Sequence, residues 1–160
     1  MNLAKTIVIV AGLAVIILAV YLWHPSESKL PWRANVTIQG ENFTVEVVSA
    51  DKDKQIGLSG RDYLPLSHGM LFLYDNKDKR SFWMKDMKFD IDLLWIADDK
   101  IVGIEENIPA PTLEMTDTDK LPIYSSPQAV DKVLEFSAGI VSHHLIKVGD
   151  TINFDIYDRK

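Results

Sequence analysis

FWMKDMKFDIDLLWI, residues 82–96, decides the fold, because an aromatic-rich apolar run is interrupted there by Lys85, Asp86, Asp90 and Asp92. An ion taken out of water is costly unless it is paired or hydrogen-bonded, so these charges need partners. From Ile91 to Ala97 a two-residue alternation puts Ile91, Leu93 and Trp95 on one face and Asp92, Leu94 and Ile96 on the other. Both faces are largely apolar. This predicts a strand covered on both sides, with Asp92 at least partly buried and in need of a cation or several donors. Lys85 is the candidate cation within this run.

Working outward, the same alternation recurs. Val36 and Ile38 alternate with polar residues, a Gly40-Glu41-Asn42 turn follows, and Phe43, Val45 and Val47 alternate again, predicting a hairpin. Residues 51–58 lose that period and predict one short helix, capped by Asp51 and stopped by Gly60. Strands are expected over Leu71–Tyr74, Arg80–Lys85, Ile91–Ala97, Ile101–Ile104, Val130–Phe136 and Thr151–Tyr157, with a short helix or turn over Ala138–His144. Residues 107–128 hold four prolines and little periodicity, and a loop of this length suggests a lid, a partner surface or disorder. The expected fold class is α+β: a mostly antiparallel, curved or barrel-like sheet with one or two short helices, preceded by a single N-terminal transmembrane helix.

That last element rests on Ile7–Trp23, seventeen residues without a charge. As a helix they span roughly 25 Å, about the hydrocarbon thickness. Lys5 precedes the run, and Tyr21 and Trp23 supply an interfacial collar. A cleaved signal needs small residues before the cut, and Val20–Pro25 offers none, so an uncleaved anchor is expected. The chain thus divides into an anchor at 1–23, a tether at 24–34 and a domain at 35–160. The N-terminus is placed in the cytoplasm and the domain outside it.

The net charge of −6, with lysines scattered among aspartates, argues against nucleic acid as a partner. The absence of cysteine removes disulfides, thiolate metal sites and thiol nucleophiles. Met70, Met84, Met87 and Met115 with His68, His143 and His144 raise copper. Methionine inside apolar strands is usually filler, however, and adjacent histidines point to different sides, so no metal or cofactor is expected.

Trp83, Lys85, Asp86 and Asp92 form the candidate ligand site: an aromatic platform, a cationic donor and carboxylate acceptors, suited to a sugar or a small zwitterion. Tyr124 joins them as a candidate lid residue, its plainer role being an apolar loop anchor. Asp92 also admits a structural reading, as a member of a buried network that ties loop 86–90 to the sheet. Asp92 with Asp90 or Asp86 could instead serve as paired carboxylates for glycan hydrolysis. Glu135 is expected to face solvent, and Gly69 and Gly139 to serve backbone geometry.

Several segments together resemble one uncharacterised family, domain of unknown function 192. They are Gly57-Leu58, Gly69 to Phe72, Phe82 to Lys85, Asp92 alone in an apolar strand, Leu134-Glu135 with Gly139, and Gly149-Asp150. The resemblance covers roughly residues 44–157. It differs where the family commonly has Asn after the Lys, here Asp86, and Pro two residues before the strand aspartate, here Asp90. What it implies is a small β-rich domain, often exported or tethered, with no activity to carry over. The expected function is therefore a membrane-anchored extracytoplasmic binding or accessory module for an envelope component or small ligand, more in keeping with a binder than an enzyme. The alternatives are a glycan hydrolase and a structural partner of another membrane protein through residues 107–128.

Overall fold

The computed structural model describes residues 32–112 and 121–157. The expected anchor at 7–23 lies outside them, and among the described residues no helix is long and apolar enough to cross a membrane. These residues form β1 (Trp32–Ile38), β2 (Glu41–Val48), α1 (Asp51–Ile56), β3 (His68–Asp78), β4 (Ser81–Trp83), β5 (Ile91–Ala97), β6 (Lys100–Ile108), β7 (Ile123–Ser125), β8 (Val130–Ser137), α2 (Ile140–His143) and β9 (Ile152–Tyr157). Seven strands make one sheet in the order β6-β5-β8-β3-β2-β1-β9, and β4 and β7 make a separate ribbon. All pairs are antiparallel except β2–β3. That parallel pair needs a crossover, and α1 lies within it.

Local chemistry sets the turns. The β1–β2 hairpin closes through Gln39 (φ 53°) and Gly40 (φ 83°), the two positive φ values that a right-twisted two-residue turn requires. Glu41 and Asn42, expected in the turn, are paired in β2 instead. Ala50, not Asp51, precedes α1, and Asp51 pairs with Lys54 one turn on, at 3.2 Å. Gly57 (φ 53°), three residues before the expected stop, ends the helix by donating its N–H to the Asp53 carbonyl.

The sheet has an apolar layer on each face. One core gathers residues from all seven strands of the sheet, among them Val36, Val45, Leu71, Leu94, Ile101, Leu134 and Ile152, and is plugged by Ile140 and Val141 of α2. The opposite face of β3, β5 and β8 carries Met70, Phe72, Leu93, Trp95 and Val133 beneath Leu58, Leu64, Met84 and Met87, with Phe82 and Tyr124 packed alongside. This is why β5 is buried at every residue from Ile91 to Ile96. The predicted split of β5 between its two faces is the one observed.

The sheet does not close into a barrel. Among the described residues its edge strands meet only at the Lys100–Thr151 bridge and neighbouring bonds such as Ile152 N–H to the Asp99 carbonyl at 2.9 Å. Irregularities in the β5–β6 ladder increase local twist, and among the described residues no further ladder joins the two edges beyond the bridge.

Gly69 has a packing reason rather than a torsional one. A Cβ built there would lie 2.8 Å from the Glu135 carbonyl oxygen and 2.8 Å from the Phe136 ring. The first obstacle is backbone of the adjacent strand, which cannot swing aside. Gly69→Ala is expected to destabilise the domain by about 1–3 kcal/mol, the usual range for overpacking, read as a lower denaturant midpoint. An unchanged midpoint would show that β3 and β8 can separate freely.

Candidate functional site

The tight turn after β4 builds the site. Met87 donates its N–H to the Met84 carbonyl at 3.2 Å, and Asp86 sits in the left-handed region with φ 57°. Two bonds from the α1–β3 connection pin this turn. The Ser59 hydroxyl donates to the Lys85 carbonyl at 2.8 Å, and Gly60 N–H donates to the Asp86 carbonyl at 2.8 Å. Trp83, Lys85 and Asp86 thereby line one open groove of about 450 Å³ with Gln55, Ile56 and Ser59. Trp83 is 51% exposed. Lys85 holds its ammonium 5.5 Å from the centre of the Trp83 ring, within the reach of a cation–π attraction.

The departure at Asp86 now has a physical reading. Asn and Asp are the non-glycine residues that most readily adopt a left-handed backbone, because their short polar side chains bond locally. The position therefore selects for this turn conformation, and either residue supplies it.

Asp92 does not belong to the groove, and Lys85 is not its partner. Its side chain is fully buried on the face that carries Leu94 and Ile96. Oδ1 accepts the Asn107 N–H at 2.8 Å and Oδ2 accepts the Val141 N–H at 2.9 Å. Each donor has a reason to need it. Ile91 pairs with Ile108 but Leu93 with Glu105, so one extra residue of β6 opposes Asp92 and leaves the Asn107 amide (φ 54°) out of the ladder. Val141 is the second residue of α2, whose N-cap, Gly139, has no side chain to satisfy it. Asp92 thus ties β6 and α2 to β5, and with both oxygens engaged inside the core it is not placed to act on a glycan. Asp90 is exposed and accepts the Ala110 N–H at 2.8 Å.

Tyr124 is half-buried, pairs across the ribbon with Phe82 and packs on the outer core, so it stands as an apolar anchor outside the groove lining. Met70, Met84 and Met87 are buried core residues. His143 and His144 line a different depression, with Phe43, Ile140 and Glu41. Met115 lies outside the described residues, among which no group of three or more histidine or carboxylate side chains gathers as a metal cluster.

Glu135 corrects the solvent-facing expectation: it is only 6% exposed. It sits between Met70 and Leu93 in register, on the face covered by the outer core. Burial pushes its carboxyl up to about 8, opposed by the charge of Arg61. Its Oε2 has no hydrogen-bond partner among the described residues. Arg61 is committed elsewhere, donating two bonds of 2.8 Å to Glu46. Those bonds hold the Glu46 carboxyl below its ordinary value despite its partial burial. The sequence signal available for Glu135 was its position in a strand of apolar neighbours, Val133, Leu134 and Phe136.

Compared with known families, residues 34–154 match the model of domain of unknown function 192 (DUF192), described as an uncharacterized ACR. The chain belongs to this family. Among solved structures, a candidate transcription regulator from Sinorhizobium meliloti 1021 is similar at 27% identity and a TM-score of 0.68, over 79% of this chain and 95% of that one. A protein of unknown function from Novosphingobium aromaticivorans DSM 12444 shares the fold at 22% identity and a TM-score of 0.66, over 81% of this chain and 89% of that one. No curated protein matches the chain. The DUF192 match spans both the Asp92 network and the Trp83 groove, so one family domain carries the structural carboxylate and the candidate ligand surface together.

Proposed function

We propose that this DUF192 chain is a membrane-tethered binding module whose ligand site is the groove of Trp83, Lys85 and Asp86. The apolar run at 7–23 would hold the chain in the membrane with its N-terminus in the cytoplasm and the domain on the outer side. The single observation that carries the reading is the contrast between Trp83 and Asp92. A large indole is left half exposed beside an ammonium, a carboxylate, an amide and a hydroxyl, while the deeply buried carboxylate is spent on backbone amides. An aromatic face with a few convergent polar groups suits a polar ligand or a component of the cell envelope.

The full-length chain in detergent micelles, titrated calorimetrically with a soluble digest of cell-envelope polymer, tests this. Trp83→Ala is expected to weaken binding about tenfold or more, as loss of a central aromatic contact does, with the melting temperature unchanged. Equal affinity of the variant and the parent would remove the groove from the reading. Release of the full chain from membranes by alkaline carbonate would remove the anchor.

A further inference from the structure

Arg61 serves one carboxylate and acts on a second. Glu46 of β2 pairs in register with Met70 of β3, and Met70 with Glu135 of β8, so the three side chains form one row on the same face of the sheet. Two strand spacings, about 10 Å, separate the two acids. Arg61 donates two bonds of 2.8 Å to Glu46, while its charge also reaches Glu135, whose Oε2 has no hydrogen-bond partner among the described residues. Glu46 has a second cation at hand. Arg33 stands directly opposite it in the β1–β2 ladder and contributes to lowering its carboxyl. Arg61 can therefore leave Glu46 without stranding a charge, whereas an ionised Glu135 is costly until a cation reaches it.

The other charged and titratable groups around Glu135 are engaged elsewhere. On β3, Tyr74 has the Arg80 guanidinium carbon 3.9 Å and the Lys54 ammonium 4.5 Å from its ring centre, and His68 lies 3.1 Å from the Ser67 hydroxyl. Asp62 pairs with Lys88 at 2.7 Å, and Asp131, further along β8, with Lys132 at 2.5 Å. Lys85 and Asp86 line the groove. Towards Glu135, β5 offers Ile91, Leu93 and Trp95, and the cover offers Leu58, Leu64, Met84 and Met87. The segment that carries Arg61 also builds the groove. Ser59 and Gly60, the two residues before it, hold the turn at the Lys85 and Asp86 carbonyls, each at 2.8 Å. Displacing Arg61 therefore pulls on that clamp.

We propose that Arg61 is a proton-controlled switch on the groove, held by Glu46 in one state and by Glu135 in the other. While Glu135 keeps its proton, Arg61 stays on Glu46 and the turn stays clamped. When Glu135 releases that proton to solvent, Arg61 crosses Met70 to the new carboxylate and Arg33 takes Glu46. Ser59 and Gly60 then shift from the turn, which loosens the groove. Burial raises the Glu135 carboxyl to about 8, which puts the change just above neutral pH. The movement stands on its own, and only its effect on a ligand rests on the binding reading given above.

Carbon-detected NMR of the isotope-labelled full-length chain in micelles, titrated from about pH 6 to about pH 10, tests the switch. The Gly60 amide nitrogen and the Arg61 guanidinium carbon are expected to shift with the same midpoint as the Glu135 carboxyl carbon, and to stay still in Glu135→Gln. In Glu46→Gln, where no carboxylate competes for Arg61, the Glu135 midpoint should fall by about one pH unit or more, as a cation brought beside a carboxylate requires. Calorimetric titration with the soluble envelope digest should show about tenfold weaker binding at pH 9 than at pH 7, since only about a tenth of the chains then keep the proton. Glu135→Gln should bind the digest equally at both. Gly60 and Arg61 signals that ignore the Glu135 titration, or a Glu135 midpoint unmoved in Glu46→Gln, overturn the switch. Equal binding by the parent at both pH values overturns its control of the groove. A digest that binds at neither pH removes the binding reading, while the Gly60 and Arg61 signals still decide the switch.

Discussion

Asp92→Ala is expected to destabilise the domain by about 2–4 kcal/mol, because the buried Val141 N–H and the part-buried Asn107 N–H lose their acceptor, and an unsatisfied buried group costs about 1–3 kcal/mol with a part-buried one at the low end. The bonds concerned are those from Asn107 at 2.8 Å and Val141 at 2.9 Å. Asp92→Asn should cost roughly half as much, since one carbonyl oxygen survives while the amide nitrogen meets a donor head-on. Equilibrium denaturation measures the loss, and hydrogen exchange locates it. The amides of Asn107 and Val141 should lose protection in either variant before the rest of the sheet does. A change below about 1 kcal/mol, within the range of an ordinary surface substitution, would mean that the bulge and α2 do not depend on this carboxylate.

Glu135→Gln is expected to flatten the alkaline side of the stability profile. The carboxyl is raised by burial from an ordinary 4.5 to about 8, so between those values the folded chain keeps a proton that the unfolded chain releases. Stability then falls as pH rises through that window and is level on either side of it. The full effect is bounded at roughly 5 kcal/mol by the width of the window, at about 1.4 kcal/mol for each pH unit. Glutamine removes the titration at nearly the same volume. The parent and the variant should therefore melt close together near pH 5, and the variant higher at pH 8. Glu46 acts in the opposite sense: its carboxyl is held low by Arg61, so its contribution is lost only as pH falls through the folded value. Parallel melting profiles from pH 5 to pH 8 would contradict the buried, protonated state of Glu135.

What was legible in the chain followed the range of the interactions involved. The alternation in Ile91–Ala97 revealed both buried faces of β5, because side-chain direction along a strand has a period of two whatever lies around it. Trp83, Lys85 and Asp86 were legible as a group, because one tight turn holds neighbours in sequence together. Their groove was not. Its other wall, Gln55, Ile56 and Ser59, comes from the α1–β3 connection, and Ser59 reaches the Lys85 carbonyl from 26 residues away.

The need of Asp92 for donors could be read from its apolar surroundings, whereas the identity of those donors could not. One comes from a β6 bulge and the other from a helix 49 residues further along the chain. Glu135 was misread for a related reason. Alternation assigns a face to each residue of β8 but does not say whether a second layer covers that face, and here Leu58, Leu64, Met84 and Met87 do. The barrel expectation failed likewise, since the number of strands does not fix whether a twisted sheet closes, and two irregularities in the β5–β6 ladder are not visible as residue types.

By itself, then, the sequence determined the strands of the main sheet in outline, though not β7 (Ile123–Ser125) within the expected loop 107–128, together with the covered character of β5 and the presence of ions that had to be compensated, because local periodicity and the cost of burying charge act on any chain that contains these residues. Only the tertiary structure decided that backbone amides rather than Lys85 compensate Asp92, that Glu135 is enclosed, and that Trp83 is left half exposed in a groove. Each of those outcomes depends on which distant segment arrives opposite the side chain, and no local rule carries that information.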